Sequence, residues 1–179
     1  MSQKILFILM PENYRDEEFY EPYNMLTKSN YHVDVAGFKP GQARGIMGHE
    51  HTPNLLLDNL KNKDFDQYDV LAIPGGPASV KYLWGNKKIQ KIIQYFHDNK
   101  KIVAAICYAA IAPVQTGILQ NKKATVYPTD IAKGILSENK TIFVDKGCVT
   151  LSEEKIITAQ GPAFAKEFGT EIIKLLEGS

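Results

Sequence analysis

Two side chains in this sequence could together carry covalent and proton-transfer chemistry: the thiol of Cys107 and the carboxyl of Glu18. Cys107 closes the apolar run Ile102-Val-Ala-Ala-Ile106, and the segment after it, Ala109-Ala-Ile-Ala112, favours a helix that Pro113 must join within its first turns. The sulfur therefore falls on a strand-to-helix turn. A nucleophile at such a turn stands exposed at the carboxyl end of a sheet, provided small residues two before and two after it leave room for the bend. Here those positions hold Ala105 and Ala109. A thiol opening a helix also meets free N–H groups and the positive end of the dipole, both of which favour the thiolate. A lone cysteine between alanines is equally a common small core residue, so the sulfur needs partners before it counts as a nucleophile.

Glu18 is one such partner. Pro22 clashes with the carbonyl four residues before it, which belongs to Glu18, so a helix through this region starts near Glu18 or bends there. Either way the carboxyl sits at the mouth of the first strand-to-helix connection. The stretch Asp69-Val-Leu-Ala-Ile-Pro-Gly-Gly-Pro77 supplies another partner, a buried strand running into Gly75 and Gly76. A glycine pair there lets backbone N–H groups approach a ligand or a developing oxyanion, although any tight turn could use the same pair. His49 and His51 would share one side of an extended segment, a spacing that suits a metal ion, but two ligands make no site and exposed loop histidines are the simpler reading.

The elements that must position these groups follow from hydrophobic period. Lys4 to Met10 reads as a first buried strand: its six apolar residues are short for a secretion signal, and no small-residue cleavage site follows. Asp16 or a neighbour caps a helix with Phe19, Tyr23 and Leu26 on one face, and Tyr31 to Phe38 is a second strand ending in the Lys39-Pro-Gly41 turn. Residues 42–53 form a loop or short hairpin. Asn86 caps a helix with Ile89, Ile92, Ile93 and Phe96 inward, and the Cys107 strand follows. Thr125 to Pro128 is expected to be a short strand leading into a helix from Thr129 to Leu136. Three compact strands come next, at 141–144, 148–151 and 155–159, with Cys148 structural in the second. Gly161 and Pro162 start a last helix, buried along Phe164, Phe168, Ile172 and Leu175 or Leu176 and stopped at Gly178.

Alternating strands and helices predict an α/β fold, a flavodoxin-like doubly wound sandwich with a mostly parallel central sheet, which binds ligands beyond the carboxyl ends of its strands. The 179 residues are expected to form a single domain. With 21 basic against 20 acidic residues there is no net field to draw nucleic acid or an anionic membrane. Two cysteines and no apolar stretch near the 20 residues a bilayer requires suggest a cytoplasmic chain with reduced thiols.

Taken in order, Glu18 followed by Pro22, the Asp69 to Gly76 strand and glycine pair, Ala-Ala-Ile-Cys107, and the late Gln160-Gly161-Pro162 resemble the DJ-1/PfpI superfamily, and the resemblance covers nearly the whole chain. That superfamily has a class I glutamine-amidotransferase-like fold, and its members include intracellular proteases, glyoxalases, deglycases and redox-responsive chaperones. The resemblance implies a homo-oligomer, dimeric or larger, with no cofactor. Cys107 would be the elbow nucleophile and Glu18 the acid hydrogen-bonded to it. The amides of Gly76 and Tyr108 would donate to an oxyanion beside Gly75, and Tyr127 would line the pocket.

The departures are informative. Tyr108 stands where protease-like members resemble Cys-His-Gly, and Tyr127, before Pro128, stands where deglycase-like members carry histidine. All four histidines, His32, His49, His51 and His97, precede Cys107, so a Cys-His triad on the usual plan is absent. A tyrosine, with a reference pKa of about 10, is no base near neutrality, though it can donate a hydrogen bond. Glu18 is left as the proton carrier. Three functions compete: a cysteine-dependent enzyme, glyoxalase-like, deglycase-like or hydrolase-like, acting on a small carbonyl compound or acyl derivative; a redox sensor or stress-protective chaperone whose Cys107 is reversibly oxidised without turnover; or a binding protein that has kept the fold and lost the chemistry.

Overall fold

The computed structural model describes residues 3–178. The chain opens with β1 (Lys4–Leu9), a short β2 (Glu12–Tyr14) and α1 (Asp16–Lys28), and continues through β3 (His32–Gly37), β4 (Ala43–Gly45), β5 (Glu50–His51) and β6 (Leu55–Leu56). Then come β7 (Val70–Ile73), a single turn α2 (Ser79–Tyr82), α3 (Lys87–Asp98) and β8 (Ile102–Ile106). The remainder is α4 (Ile111–Thr116), β9 (Lys123–Ala124), α5 (Asp130–Glu138), β10 (Ile142–Phe143), β11 (Cys148–Leu151), β12 (Ile156–Ala159) and α6 (Ala165–Glu177).

A seven-stranded sheet in the order β11-β12-β8-β7-β1-β3-β6 forms the centre, parallel except for the edge strand β11, which returns antiparallel on β12. The apolar runs that mark β1, β7 and β8 in the sequence are continuous because these central strands have no solvent face, and every residue from Val70 to Ile73 and from Ile102 to Ile106 is buried. Helix α1 packs against α6 and α3 against α4, covering the sheet. The strand order reverses between β1 and β7: from β1 the chain moves outward to β3 and β6, then returns to β7 on the other side and proceeds to β8 and β12. A crevice opens beyond the carboxyl ends at such a reversal.

Several expectations are corrected in detail. Asp16 does not cap α1: Arg15 holds that position without a side-chain bond, and the buried Asp16 carboxylate instead accepts the backbone N–H groups of Met47 and His49, each at 2.7 Å. It thereby fastens residues 42–53, which form an antiparallel hairpin of β4 and β5, to the start of α1. His49 and His51 are half-buried rather than exposed. His49 packs 5.3 Å from Tyr20 and His51 4.9 Å from Phe19, ring centre to ring centre. Residues 125–128 form no strand. Pairing falls on Lys123 and Ala124, which join Ile142 and Phe143 in a separate two-stranded sheet, so the strand expected at 141–144 is shorter and lies outside the central sheet. Thr129 and Asn86 do cap their helices, accepting N–H groups from Ala132 and from Lys88 and Ile89. Among the described residues no helix is long and apolar enough to cross a membrane.

Candidate active site

Glu18 lies in the first turn of α1, just beyond β1, with no exposed surface. Its Oε2 accepts the N–H of Gly75 at 2.9 Å, Oε1 is buried without a hydrogen-bond partner among the described residues, and the thiol of Cys107 is the strongest polar influence on the carboxyl. Burial pushes the carboxyl pKa up from 4.5 to about 8, against the opposing pull of the thiol, the Gly75 amide and the nearby charge of Arg15. This acid therefore holds its proton at neutral pH.

Cys107 follows β8 with φ +61°, in the left-handed region that a side chain other than glycine occupies at a cost of about 1–3 kcal/mol. That conformation turns the backbone sharply: a single 3₁₀ turn over Cys107–Ala110 intervenes before α4. The residue is buried to all but 6% of its surface. Burial first, then the charge of Glu18, drives the thiol pKa up, while the backbone N–H groups of Tyr108 and Gly76 work in the opposite direction. The expectation that the turn alone would favour a thiolate is thus corrected, because desolvation outweighs the amides. The charge of Glu18 opposes ionisation of the thiol, so the pair carries one negative charge at most near neutrality.

The glycine pair divides its labour. The Gly75 amide is committed to Glu18, and a Cβ here would lie 2.5 Å from the Ile106 carbonyl and 2.9 Å from the Cys107 Cβ, so only glycine lets the two connections approach. Gly76, at φ +117°, turns its own amide toward the sulfur, and a Cβ there would lie 2.4 Å from the Arg15 nitrogen. The two amides expected as donors, Gly76 and Tyr108, face the thiol, and that of the neighbouring Gly75 faces the acid.

These residues open onto a cleft of about 320 Å³, lined by Arg15, Glu18, Gly76, Pro77, Cys107, Tyr108, Tyr127 and Pro162. Tyr108 and Tyr127 meet edge to face at 5.6 Å, and Trp84 supports Tyr108 from behind, its ring 5.4 Å away and its Nε1–H donating to the Tyr108 carbonyl. Tyr127 remains 45% exposed at the rim. His49 and His51 do not line the cleft. No group of three or more metal-ligating side chains exists among the described residues. Sequence reasoning missed Arg15 and Pro77. Arg15 stands three residues before Glu18, one helical turn away, and that spacing is the signal that could have found it.

Comparison with known proteins shows the family and the fold. The model of the DJ-1/PfpI family matches residues 3–175. An uncharacterized protein of Methanocaldococcus jannaschii is 34% identical over 98% of this chain and 83% of its own. A glutathione-independent glyoxalase of Caenorhabditis elegans, DJR-1.2, is 27% identical over 99% of this chain and 90% of its own. The crystal structure of a ThiJ/PfpI domain protein from Brachyspira murdochii superposes with a TM-score of 0.90 over 99% of this chain and 98% of that one, at 23% identity, a likeness of fold.

Proposed function

This chain belongs to the DJ-1/PfpI family, and on that premise we propose that it is a cysteine-dependent enzyme acting on a small carbonyl compound, with glyoxalase-like conversion of a 2-oxoaldehyde as its form. The observation that carries this reading is the protonated, buried Glu18 beside a thiol on a left-handed turn, with two amides aimed at the sulfur and a cleft in front of it. Once the pair has released one proton to solvent, Cys107 Sγ bonds to the aldehyde carbon while the thiol proton passes through the Glu18 carboxylate to the carbonyl oxygen, giving a hemithioacetal whose oxygen the Gly76 and Tyr108 amides hold. Glu18, still ionised, takes the proton from the former aldehyde carbon and returns it to the neighbouring carbon, while the hemithioacetal hydroxyl proton moves to the neighbouring carbonyl oxygen. The product is the thioester of a 2-hydroxy acid. Water cleaves the thioester, releasing the acid and restoring the thiol. One carbon is oxidised and its neighbour reduced, so no outside oxidant enters.

Proton shuttling between adjacent atoms asks less of a base than peptide hydrolysis does, which suits a site whose cleft holds no imidazole. The test is turnover of methylglyoxal to lactate by wild type and by Cys107→Ser. Wild type is expected to exceed the variant by at least about a hundredfold, the usual scale for loss of a covalent nucleophile. Equal rates would end this reading.

A further inference from the structure

The cleft contains one permanent cation. The chain has two arginines among its 21 basic residues, Arg15 and Arg44, and Arg15 is the charged base in the wall around Cys107. Its guanidinium grips Glu17 with Nε on Oε2 at 2.8 Å and Nη2 on Oε1 at 3.1 Å, a two-point hold on one carboxylate. That hold leaves Nη1 and its two protons without a partner in this pairing. Both side chains of the pair remain about one-third exposed, at 33% and 31%, so the contact is screened and exchangeable rather than locked. The rest of the wall is Pro77, Pro162, two phenol rings, a glycine, the thiol and the protonated Glu18. None of them neutralises an anion. A planar guanidinium fork on an otherwise uncharged wall selects for a group of matching planar, two-oxygen shape.

We propose that Arg15 makes this cleft selective for carbonyl compounds that carry a carboxylate, a 2-oxoaldehyde with an acid group as substrate and 2-oxo acids as unreactive ligands, with the bound carboxylate displacing or sharing the guanidinium that Glu17 holds in the free protein. The inference deepens the enzymatic reading and rests on it for the fate of the bound molecule, but the selectivity itself belongs to the cleft. Glu17 is the resident competitor: its carboxylate shows the geometry the guanidinium accepts. Glu17 also sets a threshold, since only an anion that outbids a neighbouring side chain gains the contact. Doubly charged phosphates fit less well, because Glu17 and Asp16 both remain within the first turn of α1.

The test uses two reagents with the same leaving group and different charge. Rates of Cys107 alkylation by iodoacetate and by iodoacetamide are measured on the full chain, and their ratio is compared across variants. Arg15→Gln is expected to lower the iodoacetate-to-iodoacetamide ratio about five- to tenfold, the size of one partly screened charge-assisted contact. Glu17→Gln, which frees the guanidinium, is expected to raise it about two- to threefold. Arg44→Gln, the same change in net charge on an exposed hairpin position, is expected to leave it unchanged. A ratio that moves equally in Arg15→Gln and Arg44→Gln, or that stays put in both Arg15→Gln and Glu17→Gln, overturns the proposal. If Arg15→Gln fails to fold, Glu17→Gln decides alone. If Cys107 reacts with neither reagent the enzymatic reading falls, and selectivity is read instead from thermal unfolding. Pyruvate should then raise the melting temperature of wild type and of Arg44→Gln more than its methyl ester does, and that of Glu17→Gln more still; no excess over the ester in wild type, or no rise in Glu17→Gln beyond wild type, would count against Arg15.

Discussion

The protein carries its own control experiment in its two cysteines. Cys107 and Cys148 are free thiols with 6% and 4% of their surfaces exposed, and burial is the largest influence on both, lifting Cys148 to about 12 and Cys107 likewise upward. Judged by exposure they are equivalent. What separates them is the backbone. Cys148 lies in the antiparallel edge strand, directly opposite Ala159, in an ordinary extended conformation, and the charges that reach it are Glu167, Glu171 and Lys146. Cys107 sits on a left-handed bend that delivers two N–H groups and a protonatable carboxyl to its sulfur and opens it to a cleft. The lesson is that in this fold local geometry, and not depth of burial, makes a thiol a candidate nucleophile.

The largest effect that could break the comparison is labelling. Under native conditions iodoacetamide should modify Cys107 on the order of a hundredfold faster than Cys148, because the first lies at the wall of a cleft and the second reacts only after local opening. Peptide mass analysis of a time course measures both rates in one sample. Equal labelling would mean that the bend at Cys107 gives no chemical advantage.

The comparison sharpens when Glu18 is removed. Its pKa is raised from 4.5 to about 8, so the native state binds more protons than the unfolded chain between those values, and wild type loses stability as pH rises through that window. Glu18→Gln carries no such proton, so its unfolding free energy relative to wild type should increase from pH 4.5 to pH 8 and then level off. Reactivity should change in parallel. In wild type the labelling rate of Cys107 steps up near pH 8 as the first of the pair's two protons leaves and the remaining one is shared. In Glu18→Gln the step should vanish, leaving only a rise at higher pH, as for Cys148. A step near pH 8 that survives in the variant would remove Glu18 from the proton inventory.

What the sequence revealed about these sites tracks the range of the forces involved. The strands β1, β7 and β8, the caps Asn86 and Thr129 and the turn at Cys107 were legible because apolar runs, short polar caps and a helix start are local signals. The role of Asp16 was not, because its bonds reach 31 and 33 residues along the chain to Met47 and His49. Arg15 was overlooked for a related reason: an arginine before a helix looks like a solvated charge until β7 and its glycine pair are brought against it, and only the Arg15 N–H bond to the Gly75 carbonyl at 2.8 Å fixes it at the cleft. Residues 125–128 have strand-forming composition, yet Thr125 donates its N–H to the Thr158 side chain at 3.0 Å, a tertiary bond that displaces a ladder partner. Local chemistry wrote the elements, and contacts between distant segments selected which side chains face the sulfur.

The smallest predicted effect is also the most specific, because it is a change of sign. Replacing either cysteine by alanine or by glycine removes the sulfur, so the difference between the two variants at each position reports the backbone. At Cys107, φ is +61°, and glycine relieves a strain that alanine retains, so Cys107→Gly should be more stable than Cys107→Ala by about 1 kcal/mol after the entropic cost of glycine. At Cys148 the strand is extended and glycine gains nothing, so Cys148→Gly should be less stable than Cys148→Ala by about 0.5–1 kcal/mol. Urea unfolding of the four variants at one pH measures both differences. The same sign at both positions would show that the bend at Cys107 is not strained, and would leave the amide groups of Gly76 and Tyr108 as the feature that distinguishes its thiol.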